Sequence, residues 1–271
     1  METDNIIENI VGNGKVVLLA GGGKVFTDVA ARFCKSEKSL ESIVSSDYNA
    51  ELVKRIISSG HMAATEFDYY VFGVEGYSRV TETQLVRKRL ASYLIKSGRA
   101  TTKSGQRKYE IVLPQSIKDN YGILAETWSG SSISLDEWLY LGKVFYERLK
   151  DSGVKEEEAR YIKPQATEFK AIIGMNAHAL IDWFKIRCCR NAQTEIRDLA
   201  NKMLKLCKEA SPDVFSTAGA SCKVLGYCPE NSLQNEVCKN ANFYLTQETM
   251  LDAIKEYKHN HEISHIKNVL R

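Results

Sequence analysis

Runs of β-branched and aromatic residues alternate with amphipathic helical segments along the first 90 residues of the chain. The run over residues 16–19 predicts a strand that ends at three consecutive glycines, and residues 66–75 predict a second strand. Apolar residues spaced three and four positions apart predict helices over residues 25–33 and 50–57. The fold must therefore combine strands with helices.

The remainder of the chain is predicted to be mainly helical. The further predictions are a helix over residues 78–90 with Ser78 as N-cap, a capping box at Ser134 and Glu137 before a helix through residue 149, helices over residues 176–187 and 192–207, an irregular segment over residues 211–245, and a last helix over residues 248–258. Trp138 and Trp183 fall within two of these helical patterns, which predicts that both side chains are buried.

Composition excludes several classes of protein. The chain has 271 residues, of which 44% are hydrophobic and 26% charged, and these values are ordinary for a globular protein rather than for a disordered or fibrous one. The net charge of +3 creates no strong overall field, so neither nucleic acid nor a membrane surface is an expected partner. The N-terminus is acidic and the nearest apolar run has five residues, which favours a cytoplasmic location.

Two sets of residues contain side chains that can bind zinc, but the spacing of neither set indicates a zinc site. The chain has seven cysteines, an odd number that is typical of reduced thiols. Four thiols are spaced too loosely for a standard zinc motif: Cys207, Cys222, Cys228 and Cys238. His261, Glu262 and His265 match the H-E-x-x-H pattern of zinc proteases, but only six residues follow them, and none is His, Glu or Asp. We therefore assign no metal site from the sequence.

Positive charge is concentrated between residues 79 and 108. Nine basic residues lie in this stretch and are opposed only by Glu82: Arg79, Arg87, Lys88, Arg89, Lys96, Arg99, Lys103, Arg107 and Lys108. Within it, Ser97-Gly98-Arg99 offers a hydroxyl, accessible backbone N–H groups and a guanidinium, which together suit a phosphate group. A solvated basic surface is the alternative interpretation of the same stretch.

The basic stretch carries a family resemblance. Arg87-Lys88-Arg89, seven further residues and then Ser97 resemble the R-H-R-x7-S signature of the flavin-dependent thymidylate synthases (ThyX). Further segments in the family's order are His61 with Glu66, residues 75–79, residues 159–164, Asn176 with Arg187, and residues 192–197. The resemblance spans roughly residues 15–210, and such an extent is far more specific than one short motif.

The resemblance implies a fold and an activity. The fold would be α/β (α+β), with a central, mostly antiparallel sheet flanked by helices, in a homotetramer whose subunits share the active sites. Residues 1–214 would form the catalytic, nucleotide-binding domain, and residues 215–271 an extension of unknown role. The activity would be C5 methylation of dUMP to dTMP, with methylenetetrahydrofolate as methylene donor and bound FAD carrying electrons from NADPH.

The resemblance also implies roles for individual residues. The residues matched to dUMP binding are Gln84, Arg87, Ser97, Gly98, Arg99, Arg160 and Arg187. The residues matched to FAD binding are His61, Arg87, Lys88, Arg89 and Asn176. Attack at C5 of uracil builds negative charge on the ring carbonyls, so Arg187 is the expected catalytic residue, as a fixed cation that stabilises this charge.

The chain departs from the family pattern mainly around the implied flavin site. The substituted positions are Lys88 for histidine, Leu94-Ile95 for Asn-Glu, Ala100 for an aromatic residue, His178 for arginine and Asn191 for histidine. Aliphatic side chains cannot replace the hydrogen bonds of Asn and Glu. Three explanations stay open: a divergent active synthase, a sister methylase acting on another pyrimidine nucleotide, and a nucleotide-binding relative or partner subunit without flavin.

Overall fold

The computed structural model describes residues 14–22, 25–96, 111–120, 122–229, 238, 245–246, 251–252 and 254–256. Its strands are β1 (Lys15–Ala20), β2 (Tyr69–Ser78), β3 (Ser92–Ile95), β4 (Leu124–Glu126), β5 (Ser132–Ser134), β6 (Glu168–Asn176), β7 (Tyr227–Cys228) and β8 (Leu245–Thr246). Its longer helices are α1 (Phe26–Phe33), α3 (Ala50–Ser58), α4 (Arg79–Leu85), α6 (Leu135–Asp151), α8 (Ala177–Arg187) and α9 (Thr194–Ala210). Its shorter helices are α2 (Leu40–Val44), α5 (Gln115–Lys118), α7 (Glu156–Ala159), α10 (Pro212–Phe215) and α11 (Ser221–Leu225), with 3-10 turns at Met62–Phe67 and Arg160–Ile162.

A four-stranded antiparallel sheet in the order β1–β2–β6–β3 organises the fold. The two central strands pair in a register that places Tyr69 opposite Asn176 and Phe72 opposite Ile173. Helices flank this sheet, so the expected α/β fold with a mostly antiparallel sheet is confirmed. Short pairs of strands lie outside it, antiparallel for β4–β5 and parallel for β7–β8.

One face of the sheet carries the hydrophobic core. Alternate residues of β2 and β6 are buried, and Phe72 and Ile173 have no exposed surface. They belong to one buried cluster with residues of α8 and α9 such as Phe184 and Leu199. Because successive side chains of a strand point to opposite faces, the same alternation leaves the other residues on an outer face.

The outer face of the sheet is apolar and uncovered in the single chain. It carries Val17 and Leu19 from β1, Ile172 from β6 and Leu94 from β3, and these side chains are exposed. Tyr69 lies across this face and its hydroxyl is 3.3 Å from the Ser92 hydroxyl. A Cβ atom at Gly174 would lie only 2.6 Å from the Tyr69 hydroxyl oxygen, so the aromatic ring requires glycine beneath it.

Asp68 fixes the first turn of α1 from outside that helix. Its buried carboxylate accepts the backbone N–H groups of Phe26 and Thr27 at 2.6 and 3.1 Å, and the Thr27 hydroxyl at 2.5 Å. The Asp68 backbone carbonyl accepts the N–H of Ala177 at 2.8 Å, at the start of α8. Since a buried carboxylate already accepts the first two N–H groups of α1, an anionic phosphate would be repelled from this helix start.

Glu195 is a second carboxylate that fixes the start of a helix, at the point where β2 leads into α4. It accepts both the backbone N–H and the hydroxyl of buried Ser78 at 2.5 Å. Ser78 is the N-cap of α4, as predicted, but its hydroxyl is committed to Glu195 rather than to the helix. The carboxylate therefore holds β2 and α4 against α9.

We expect Glu195→Ala to lower the free energy of unfolding by about 2 kcal/mol, because two buried donors on Ser78 lose their acceptor. Urea unfolding followed by circular dichroism measures this change. The matched control is Glu209→Ala on the same helix, whose exposed carboxylate lies 3.9 Å from Lys205. That control should shift stability by less than about 0.5 kcal/mol, and equal effects of the two variants would contradict the assigned role.

Several predicted elements need correction. The helix after Ser78 ends at Leu85 rather than near residue 90. The segment from residue 211 is not uniformly irregular, since it contains α10 and α11. Trp183 is buried as predicted, whereas Trp138 is 54% exposed because α6 covers only a small second cluster. Within the described residues, no helix combines the length and apolar character needed to span a membrane.

Candidate active site

The candidate site begins where α4 meets the C-terminal end of α8. The guanidinium of Arg187 donates to the side-chain oxygen and to the backbone carbonyl of Gln84, each at 3.3 Å. These residues are 103 positions apart in the chain. Two of the residues matched to the nucleotide therefore lie together. Both acceptors are neutral, so the positive charge of Arg187 is not compensated by them.

Arg87 brings a second positive charge to Arg187. Partial burial, and then repulsion from Arg87, lower the pKa of the Arg187 guanidinium below its usual range. In the described part of the chain, neither guanidinium forms a salt bridge with a carboxylate. This pair of cations is a candidate site for an anion, because a bound anion would relieve their mutual repulsion.

Tyr93 holds the turn that follows α4 and carries Arg87, Lys88 and Arg89. Its hydroxyl donates to the backbone carbonyl of Leu85 at 2.8 Å and lies 3.0 Å from that of Lys88. Burial raises the pKa of Tyr93 to about 12, so the hydroxyl remains protonated at neutral pH. The turn therefore keeps a fixed path while the Arg87 and Arg89 side chains are exposed to solvent.

The residues matched to the flavin lie in three separate parts of the fold: the start of the first 3-10 turn, the turn after α4 and the start of α8. Asn176 caps α8, with its side-chain oxygen accepting the N–H of Ala179 at 2.8 Å, so its amide nitrogen is not used in this cap. His61 is exposed at the start of the 3-10 turn. No contact given by the structure joins His61 to Asn176 or to the basic turn among the described residues.

Glu66 and Asp182 were not assigned to the site from the sequence, yet both contact one of the substituted positions. The imidazole of His178 lies with Nδ1 3.1 Å from a Glu66 oxygen and with Nε2 3.6 Å from an Asp182 oxygen. The sequence resemblance did pair Glu66 with His61, which was the available signal. At the position where the family resemblance predicts arginine, this chain therefore has a histidine between two carboxylates.

Arg160 is the one described residue among the other positions matched to the nucleotide, and it lies apart from the Arg87–Arg187 pair. Arg160 lies exposed in the second 3-10 turn, where its Nε donates to the Glu157 carbonyl at 3.1 Å, and no described contact connects it with Arg187. Ser97, Gly98 and Arg99 lie outside the described residues. The roles of these residues, and an approach of Arg99 and Arg160 to the Arg87–Arg187 pair, stay predictions.

The positions that replace the family's Asn-Glu pair are on opposite faces of the sheet. Leu94 is 71% exposed on the outer face, opposite Ile172 in the ladder. Ile95 packs against the core. Only Leu94 therefore presents its side chain to the outer face, and it presents an apolar group there.

The cysteines give no metal site in the part of the chain described here, where no group of three or more His, Cys, Asp or Glu side chains is arranged to hold an ion. The H-E-x-x-H residues lie outside the described residues. Cys207 is fully buried, and this burial raises its pKa far above the usual range. Cys34 is an exposed thiol.

We expect maleimide to modify Cys34 in the native protein at least about 100-fold faster than Cys207, because thiolate fraction falls tenfold for each pKa unit and the buried sulfur is also screened from the reagent. Mass spectrometry of peptides sampled over time measures both rates. In urea the two rates should converge. Equal rates in the native protein would contradict the burial of Cys207.

The sheet, its helical layer and the paired cations define an α/β protein with a candidate anion site between α4 and α8. The family model for thymidylate synthase complementing protein (Thy1) matches residues 21–213. The chain belongs to this family, the flavin-dependent thymidylate synthases, and the resemblance drawn from the sequence is confirmed.

Individual relatives agree with this assignment. A flavin-dependent thymidylate synthase of Geobacter sulfurreducens is 38% identical over 209 residues, covering 76% of this chain and 85% of the relative. That of Pyrococcus abyssi is 38% identical over 208 residues, covering 75% and 82%. The crystal structure of the UMP/dUMP methylase PolB from Streptomyces cacaoi, bound with 5-Br dUMP, has a TM-score of 0.61 at 20% identity, covering 76% of this chain and 94% of that chain. This last similarity supports the fold.

Proposed function

We propose that the protein methylates C5 of dUMP to give dTMP, with methylenetetrahydrofolate as one-carbon donor and FAD reduced by NADPH. The observation that carries the proposal is the Arg187 guanidinium, which Gln84 holds beside Arg87 without a carboxylate partner among the described residues. A nucleotide monophosphate has a charge near −2 at neutral pH, which suits two neighbouring cations.

Arg187 would act on the uracil ring. Its orientation is set before substrate arrives, since Gln84 contacts both terminal nitrogens of the guanidinium. Negative charge that develops on a uracil carbonyl during reaction at C5 would be stabilised by this fixed cation without reorganisation of solvent. Partial burial of the guanidinium strengthens the interaction, because less water screens it.

The chain's residues also fit a flavin dinucleotide. Such a cofactor joins an anionic diphosphate to an aromatic ring system, and it supplies hydride chemistry when bound. Lys88 and Arg89 offer positive charge without a salt bridge to any described carboxylate, and Asn176 offers an amide donor. The exposed apolar face around Leu94 and Ile172 suits an aromatic ring. Those are the groups we expect to contact FAD.

Release of tritium from [5-³H]dUMP tests the activity. Purified protein with FAD, NADPH and methylenetetrahydrofolate should release tritium into water and form dTMP, and omission of any one component should stop dTMP formation. UMP in place of dUMP distinguishes a sister methylase. Absence of product from every pyrimidine nucleotide, with flavin bound and the fold intact, would overturn the proposal.

The second candidate is a nucleotide-binding subunit without flavin chemistry. It is favoured by Leu94, which presents no hydrogen-bonding group to the outer face, and by His178, which two carboxylates already contact. Calorimetry with dUMP and absorbance of added FAD separate the candidates. Nucleotide binding without flavin binding or tritium release would support the binding subunit.

We further propose the homotetramer that the resemblance implies. In support, the outer face of the sheet also exposes Val17 and Leu19 on β1, and exposed apolar surface of this kind is typical of contacts between subunits. Light scattering coupled to size-exclusion chromatography measures the mass. A particle four times 30.5 kDa is expected, and a monomer at micromolar concentration would contradict it.

A further inference from the structure

A cluster of thiols forms where residues beyond the family match pack against the end of α8. Helix α11 contacts α8, and its first residue, Ser221, donates from its hydroxyl to the Lys185 carbonyl at 3.3 Å. Cys222 follows Ser221 directly. Cys189 lies one helical turn beyond Lys185, where the N–H of Ala192 bonds to its carbonyl at 3.1 Å. The hydrogen bond from Ser221 therefore brings the two cysteines to the same end of α8.

The interactions among these thiols identify the neighbours of Cys222. Burial raises the pKa of Cys222, and Cys189 and then Cys228 raise it further. Cys189 therefore exerts the larger electrostatic effect of the two neighbours. Both Cys189 and Cys222 are free thiols with partly exposed side chains, so a small oxidant in solution can reach them.

Cys188 is the nearby thiol least suited to react. It packs against the main hydrophobic core, and burial raises its pKa to about 12. Cys228 is also buried. Cys188 is partly exposed as well, but its thiolate is scarce at neutral pH, and the thiolate is the species that attacks a disulfide, so reaction should favour Cys189 and Cys222.

We propose that Cys189 and Cys222 form a site of reversible oxidation, at which glutathione disulfide joins helix α11 to the end of α8. In the first step, one protein thiolate attacks glutathione disulfide and releases one glutathione. In the second step, the other protein thiol displaces the second glutathione. The Cys189–Cys222 bond forms, the glutathione S–S bond breaks, and the two protons and two electrons of the protein thiols end in two glutathione thiols.

The crosslink has a defined structural consequence. It closes a loop of 34 residues that includes all of α9 and α10. One of its two cysteines, Cys189, lies two positions after Arg187 in the sequence. By restricting the unfolded chain, it should raise the melting temperature by on the order of 5 °C. The increase should disappear when dithiothreitol is added.

Peptide mapping of the full chain after treatment with glutathione disulfide tests the proposal. A crosslinked peptide pair containing Cys189 and Cys222 is expected in the wild-type protein and in Cys188→Ala. Cys189→Ser and Cys222→Ser should each lose the crosslink and the rise in melting temperature, while retaining a mixed disulfide at the remaining cysteine. Cys34→Ala serves as a second control, should Cys188→Ala fail to fold.

Three results would overturn the proposal: mixed disulfides alone in the wild-type protein, a crosslink that uses Cys188 or Cys228 instead, or a crosslink that survives Cys189→Ser. Each is read from the wild-type digest or from folded variants, so a negative result is decisive. The mapping requires neither nucleotide nor flavin, and its outcome is independent of the proposed activity.

Discussion

Arg187→Ala should lower kcat/KM for dUMP by about 10²- to 10³-fold, the usual effect of removing one charge-stabilising group from an active site. The loss is expected because the variant removes a partly buried cation that Gln84 holds in place. Steady-state measurement of tritium release gives the ratio, and calorimetry with dUMP shows how much of the loss arises in binding.

Two companion variants define the cause. Arg187→Lys retains the charge but loses the planar pair of donors, so an intermediate loss is expected. Arg148→Ala removes an exposed guanidinium from the last turn of α6 and should leave activity within about twofold. Circular dichroism confirms that each variant is folded. Activity of Arg187→Ala equal to wild type would exclude a catalytic role for this residue.

Asp68→Ala should produce the largest loss of stability among the variants considered, about 3 kcal/mol. The substitution leaves two N–H groups and the Thr27 hydroxyl without the carboxylate that accepts them, and Asp68 and Thr27 are buried. Urea unfolding gives the change in the free energy of unfolding.

Asp151→Ala is the matched control, since this exposed aspartate ends α6 and should change stability by less than about 0.5 kcal/mol. Asp68→Asn retains one carbonyl oxygen and should therefore lose less than Asp68→Ala. If Asp68→Ala unfolds at the same urea concentration as wild type, the capping role of the carboxylate is wrong.

The helices were more predictable than the sheet. The apolar spacing placed α1, α3 and α6 within a few residues of their observed bounds. The central strand β6 was not predicted, although Phe169, Ala171, Ile173 and Met175 alternate as buried residues. Ile172 interrupts that alternation with another apolar side chain, and the pattern is clear only when the outer face of the sheet is known to be apolar as well.

Short elements depended on contacts that composition does not reveal. Helix α11 has five residues and is too short to be stable alone, so its position depends on packing against α8 and on the bond from Ser221 to Lys185. In the sequence, Trp138 and Trp183 both fall within an amphipathic helical pattern, so both were predicted to be buried. Only the structure shows that α8 is enclosed on most sides whereas α6 is not.

The residues of the candidate site were predicted from the family resemblance and not from the spacing of residues within the chain. Gln84 and Arg187 meet across 103 residues, and nothing local in either segment indicates the contact. Of the two carboxylates beside His178, Asp182 lies four residues later on the same helix, whereas the contact with Glu66 depends on how the 3-10 turn packs on α8 and could not be anticipated. Long-range pairs of this kind follow from the fold and not from residue type.

The ring of Tyr69 across Gly174 couples two positions that are 105 residues apart in the chain. Alanine at position 174 would clash with the Tyr69 ring, so it can be accepted only after Tyr69 has been replaced by a smaller residue or its ring has moved. Substitutions at these sites are therefore expected to be interdependent through evolutionary time, with their order constrained and glycine retained for as long as the tyrosine persists.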